Sequence, residues 1–195
     1  MNGTGSRFRP RWPLSICRSP PQLRRPPLGS AVASTVDTIF DPALNWADLE
    51  WLTSLSPLPV IAKGVLHSDD AVRAIEHGAR AVVVSNHGGR QLDSAVPALD
   101  ALPHVAEAIA GRVEVLVDGG VRRATDVLKA LALGARAVMM ARPLAWGLAV
   151  DGEDGVRRVL DLLRTELLRD LMLCGYSCPA AVERALVVSA PESAR

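Results

Sequence analysis

In Ala81-Val82-Val83-Val84-Ser85-Asn86-His87-Gly88-Gly89-Arg90 an unbroken apolar run gives way at once to polar residues and glycines. The run is too short for a helix, and its continuous rather than alternating character suits a strand covered on both faces. A strand over Ala81 to Ser85, with chemistry at its C-terminal end, is the starting point. Upstream, Val60-Ile61-Ala62-Lys63-Gly64 repeats the arrangement, an apolar strand ending on a cation. Downstream it recurs over Val113 to Val117, followed by Asp118, and over Ala137 to Met140, followed by Ala141 and Arg142.

Helical stretches separate these runs. Asn45 caps a predicted helix to about Leu55, in which Trp46, Leu49, Leu52 and Leu55 recur at three-residue steps. Ser68 is read as the cap of a second, which runs to His77 and stops at Gly78. Further helices are predicted over Pro97 to Ala110, Thr125 to Leu133 and Gly155 to Leu173. Strands alternating with helices argue for βα units and a parallel sheet. An internal echo agrees: Gly78-Ala79-Arg80-Ala81-Val82 returns as Gly134-Ala135-Arg136-Ala137-Val138, each copy leaving a helix and entering a strand.

The fold class expected is α/β, with four strand–helix units, half of a (β/α)8 barrel. A closed barrel of that kind needs about 250 residues, and the chain has 195. The expectation is therefore half of a barrel over residues 35–190; the resemblance given below implies the C-terminal half, lacking the first four strands. Residues 1–34 are rich in Pro, Arg, Gly and Ser, with paired prolines at Pro20-Pro21 and Pro26-Pro27, and are read as a disordered tail. Residues 191–195 are read as a disordered end. An acid-free, Arg-rich start also fits an organelle transit peptide, but the prolines argue against the amphipathic helix such a peptide forms.

Charge and cysteine content exclude several functions. No Asp or Glu precedes Asp37, whereas Arg7, Arg9, Arg11, Arg18, Arg24 and Arg25 all do; taking those six positive charges from the net +1 leaves −5. That is not the balance of a nucleic-acid binder. Cys17, Cys174 and Cys178 lack histidines at zinc-ligand spacing and are read as reduced thiols of a cytoplasmic protein. No apolar run reaches the roughly 20 residues of a membrane span.

Lys63, Ser85-Asn86-His87, Asp118 and Arg142 thus stand at four successive strand ends, the rim on which (β/α)8 barrels build active sites. After the third strand, Asp118-Gly119-Gly120-Val121-Arg122 opens a helix. Glycines there let backbone N–H groups approach a phosphate, the helix N-terminus favours an anion, and Arg122 adds charge. Arg142 on the next unit would reinforce the site.

The run Ser85-Asn86-His87-Gly88-Gly89-Arg90-Gln91-Leu92-Asp93 resembles the signature of the flavin mononucleotide (FMN)-dependent 2-hydroxy-acid oxidases and dehydrogenases, the family of glycolate oxidase, lactate oxidase, mandelate dehydrogenase and flavocytochrome b2. The resemblance extends through Val60 to Val65, Asp118 to Arg123 and Ala141-Arg142-Pro143, and covers about Asp37 to Val187. It implies FMN as cofactor, a small (S)-2-hydroxy acid as substrate, and dioxygen or another carrier as electron acceptor. His87 would be the catalytic base, which suits an imidazole with an ordinary pKa near 6.5. Arg90 would hold the substrate carboxylate through its planar fork. Lys63, Ser85, Asp118, Gly119, Gly120, Val121, Arg122, Ala141 and Arg142 would bind the cofactor.

Two departures accompany the resemblance. Ala141 and Ala124 stand where the family usually has glycine, so a methyl group at 141 is expected to crowd the phosphate or strain the backbone. The family's substrate-binding tyrosine and the aspartate that pairs with the histidine belong to the four earlier strands. Two functional readings follow: FMN-dependent oxidation impaired by truncation, or an inactive or purely FMN- or phosphate-binding module that self-associates or needs a separate N-terminal half.

Overall fold

The computed structural model describes residue 41 and residues 43–188. The tail assigned to residues 1–34 and the end assigned to 191–195 lie outside the described residues. In chain order the elements are α1 (Trp46–Ser54), β1 (Ile61–Val65), α2 (Ser68–Glu76), β2 (Ala81–Val84), α3 (Ala98–Ile109), β3 (Glu114–Asp118), α4 (Ala124–Ala132), β4 (Ala137–Met139) and α5 (Arg142–Leu173). The four strands form one parallel sheet in the order β1-β2-β3-β4. Each crossover therefore steps to the next strand in the same direction. Helices α2, α3 and α4 pack on one face, where Ala71, Leu102, Val105, Ile109 and Ala130 join Val82, Val84, Val115 and Val117 in the core. The opposite face carries Ile61 and Met139, 48% and 41% exposed.

Register runs Lys63↔Val83 and Val83↔Leu116 across the first three strands, then slips at Gly64 so that Val65 pairs with Val84. Gly64 has φ +95°, and a glycine in that region is what a β-bulge demands. The bulge bends the end of β1 beside the end of β2.

The five-residue echo has a structural meaning. Gly78 and Gly134 take φ of 97° and 104°. The following N–H groups reach back across the helix end, Ala79 N to Ala74 O at 2.9 Å and Ala135 N to Ala130 O at 3.0 Å. Arg80 and Arg136 then donate to Val60 and Val115 carbonyls at 2.8 and 2.7 Å, which starts the next strand against its neighbour. One helix-to-strand turn is thus used twice.

Several boundaries differ from expectation. The cap of α2 is His67, whose Nδ1 accepts from Asp69 N at 3.2 Å, and Ser68 is the first helical residue. Strands β1 and β3 lie one residue later than the apolar runs suggested, so Asp118 ends its strand rather than following it. The last helix begins at Arg142, not Gly155, and is broken at Asp151 and Gly152. The two arms of α5 meet at Gly147 and Gly155. A Cβ on Gly147 would lie 2.6 Å from the Gly155 carbonyl oxygen, so backbone fills the space a side chain would need. No helix among the described residues is long and apolar enough to cross a membrane.

Replacement Gly147→Ala forces the two arms apart and is expected to lower stability by about 1–3 kcal/mol. Urea unfolding followed by circular dichroism measures this, and an unchanged midpoint would show that the arms do not pack as described.

Candidate active site

The site is assembled where β1, β2 and β3 end. Ser85, the residue after β2, is fully buried. Its Oγ accepts from Lys63 Nζ at 3.2 Å and from the backbone N–H of His87 at 3.0 Å. Lys63 Nζ also pairs with Asp118 Oδ2 at 2.8 Å, so one ammonium group ties the ends of three neighbouring strands. The other Asp118 oxygen, Oδ1, is buried and has no hydrogen-bond partner among the described residues. A buried carboxylate oxygen left without a donor is costly unless something supplies one.

Beyond Ser85 the chain makes a single turn, His87–Gly89. All three residues have positive φ, 55° at His87, 69° at Gly88 and 71° at Gly89. The imidazole of His87 lies against the bulge of β1: a Cβ on Gly64 would come 2.5 Å from His87 Cε1. Gly64 is therefore the floor under the ring. It was not singled out from the sequence, although a glycine ending a buried strand is a sign of close approach.

A cleft of about 350 Å³ opens above this floor, and Lys63, His87, Arg90, Asp118 and the turn Gly119 to Arg122 line it. Ala141, Arg142 and Pro143 close its far side. The structure thus gathers nearly all the candidate residues around one space, with His87 and Arg90 on the same cleft. Ser85 is the exception, lying beneath Lys63 and outside the lining. Among the described residues no carboxylate lies within 4.0 Å of the guanidinium groups of Arg90, Arg122 or Arg142. Arg122 instead sits 6.0 Å from the ring centre of Trp146.

The helix expected to attract an anion is already satisfied. Arg122 N and Arg123 N both donate to Asp126 Oδ2 at 3.0 Å, and Ala124 N donates to Glu166 Oε2 at 3.3 Å. At and just before the start of α4, the N–H groups of Arg122, Arg123 and Ala124 therefore already have carboxylate acceptors. The start of α5 differs. Its capping residue Ala141 makes no side-chain cap bond, and it faces the same cleft. Positive helix-end potential and Arg142 coincide there. Ala141 has φ −119°, so its methyl group carries none of the backbone strain anticipated for it.

In the turn after β3, Gly119 and Gly120 have φ of 95° and 78°. A Cβ on Gly120 would meet nothing within 4 Å, which leaves its backbone open to a ligand. The orphaned Asp118 oxygen, the open glycine turn and the unpaired guanidinium groups together form a donor and acceptor set that suits a phosphorylated polyol.

The contact between Gly64 and His87 can be isolated with a double-mutant cycle. Gly64→Ala is expected to cost about 1–3 kcal/mol through overpacking and the unfavourable φ. That cost should shrink by about 1 kcal/mol when His87 is also alanine. Equal costs in the two backgrounds would place the imidazole elsewhere.

Residues 4–189 match the model of the FMN-dependent dehydrogenase family. The chain is 60% identical over 138 residues to L-lactate oxidase of Nostoc sp., covering 71% of this chain and 38% of that protein. It is 48% identical over 162 residues to 2-hydroxyacid oxidase 1 of Homo sapiens, covering 83% and 44%. Among solved structures, mandelate oxidase with (S)-4-hydroxymandelic acid superposes with a TM-score of 0.76 at 48% identity, over 80% of this chain and 44% of that one. The chain spans less than half the length of these relatives. With the family model matched along most of the sequence, the chain belongs to the FMN-dependent dehydrogenase family.

Proposed function

We propose that the cleft binds FMN and a small (S)-2-hydroxy acid, and that the completed protein oxidises the acid to its 2-oxo acid. The observation that carries this reading is the charge of the lining. Lys63, Arg90, Arg122 and Arg142 face Asp118 alone, a formal net of three positive charges with His87 left out of the count. A phosphate monoester carries about two negative charges at neutral pH, and a 2-hydroxy acid brings one more. The cleft is therefore matched to those two anions bound together.

The residues divide the work by position. Arg122, Arg142, the N–H groups of the glycine turn and the open start of α5 would hold the phosphate. Asp118 Oδ1 lacks a donor and would accept from a ribityl hydroxyl. FMN, when bound, supplies the two-electron acceptor for the oxidation. Lys63, fixed by Asp118 and Ser85, places a cation at the foot of the cleft, where it favours negative charge developing nearby. Arg90 would capture the substrate carboxylate in a bidentate pair, and His87 would take the proton released on oxidation.

The sheet itself fits four of the eight units of a (β/α)8 barrel. Its strands are parallel, run in chain order and have their helices on one face. A doubly wound sheet would reverse its strand order instead. On this reading the exposed face with Ile61 and Met139 is the barrel interior. Four more strands, from another chain or from the remainder of a longer one, would complete it.

One observation favours a second reading in which these residues alone bind cofactor without turning over. Among the described residues, no carboxylate pairs with His87. The imidazolium formed on proton uptake would then lack the oriented partner that matters so much in His–Asp systems.

Titration with FMN and with riboflavin, followed by quenching of flavin fluorescence, tests the cofactor site. Arg142→Leu is expected to weaken FMN by about tenfold or more, the scale of a lost charge-assisted hydrogen bond, and to leave riboflavin nearly unchanged. Equal effects on the two flavins would remove Arg142 from the phosphate site. In anaerobic mixing with L-lactate or glycolate, bleaching of the visible absorbance of the oxidised flavin should vanish in His87→Ala while FMN still binds. Bleaching by that variant would exclude His87 as the base.

A further inference from the structure

The turn that carries His87 and Arg90 is held in a conformation that side-chain-bearing residues rarely adopt. Consecutive left-handed residues at His87, Gly88 and Gly89 persist only where their surroundings over-determine them. The restraints converge on Asn86. Its Oδ1 accepts from Gly88 N at 3.0 Å, and its backbone carbonyl accepts from Gly89 N at 3.0 Å. Its Nδ2 donates to Val96 O at 3.5 Å, on the returning limb of the same loop.

Asn86 also reaches the next unit. Oδ1 lies 3.6 Å from the place a Cβ on Gly119 would occupy, and Gly119 belongs to the turn assigned above to the phosphate. From the far side, Arg142 Nη2 comes within 3.5 Å of the Cβ position of Gly88. The His87 turn is thus gripped between two parts of the anion site. Asn86 does not line the cleft that holds His87 and Arg90, but it lines an adjoining pocket together with Gly88, Gly119, Gly120, Val121 and Arg142.

We propose that Asn86 is a positioning residue, whose side chain sets the turn so that His87 and Arg90 face the cleft together and couples that turn to the phosphate site. The inference rests on the function proposed above. Removing Oδ1 frees Gly88 N, so that the turn is held only by His87 N on Ser85 Oγ and by Gly89 N on the Asn86 carbonyl, and Arg90 can shift relative to His87. An aspartate keeps the acceptor for Gly88 N and gives up only the weaker bond to Val96.

Wild type, Asn86→Ala and Asn86→Asp distinguish this role by three measurements. These are FMN affinity from fluorescence quenching, oxalate affinity of the FMN-loaded protein from the flavin absorbance change, and the Hε1 resonance of His87 in the FMN-free chain. Asn86→Ala is expected to weaken oxalate by about tenfold, the scale of one lost buried hydrogen bond, and to shift FMN affinity far less. It should also move His87 Hε1 toward the position of a free imidazole, and Asn86→Asp should restore both. Wild-type oxalate affinity and resonance in Asn86→Ala would overturn the proposal, as would an Asn86→Asp variant no better than the alanine.

If Asn86→Ala does not fold, Asn86→Asp compared with wild type decides. Matching values support the role, and a tenfold loss of oxalate affinity (about one hydrogen bond) contradicts it. Failure of the wild type to bind FMN would sink the proposed function instead, and the Hε1 comparison would then settle the role of Asn86 alone.

Discussion

The Ser85 hydroxyl is fully buried and accepts two hydrogen bonds, one from Lys63 Nζ and one from the backbone N–H of His87. Through it, a side chain on β1 and the first residue of the turn after β2 are held at a fixed separation. Lys63 extends the tie to β3 through Asp118. Buried polar networks of this kind are favourable only when nearly every member is satisfied. The one unsatisfied atom, Asp118 Oδ1, lies where the cleft begins. The sheet's C-terminal ends are thus rigid on the protein side and leave an acceptor for a ligand.

Charge placement follows the same logic. Carboxylates are used generously at helix starts, where Asp126 accepts from Arg122 N and Arg123 N just before α4, Glu166 accepts from Ala124 N, and Asp48 accepts from the N–H of Asn45, the cap of α1. In the cleft the one lining carboxylate, Asp118, pairs with Lys63, and three guanidinium groups lack an acidic partner among the described residues. Cations gathered without counter-charges repel one another, and such an arrangement is stabilised by a bound anion. The same contrast sets the start of α5, whose cap makes no side-chain bond, apart from that of α4.

Much of this was legible in the sequence because strand interiors were continuous and apolar and each ended on a chemically distinctive residue. Lys63, Ser85-Asn86-His87, Asp118 and Arg142 could be placed on one rim by counting strand ends, and of these the structure brings Lys63, His87, Asp118 and Arg142 to one cleft, with Arg90 and Arg122 beside them. What escaped notice depends on approach in space rather than on residue type. Gly64 reads as a strand end, yet its role is to leave room for the ring of His87. The first arm of α5 was hidden by Gly147, Gly152 and Gly155, which lower helical propensity but allow two backbones to touch. The occupied start of α4 depended on Glu166, forty-two residues away along the chain, a contact no local pattern encodes.

The central claim is that a single cleft holds the imidazole, the carboxylate-binding guanidinium and the cofactor phosphate at once. A crystal structure of the chain grown with FMN and oxalate tests it most directly. The account predicts the phosphate between the Gly119 to Arg122 turn and Arg142, the flavin ring beside Lys63, and oxalate spanning His87 and Arg90. A phosphate bound elsewhere, or oxalate in contact with neither His87 nor Arg90, would contradict it.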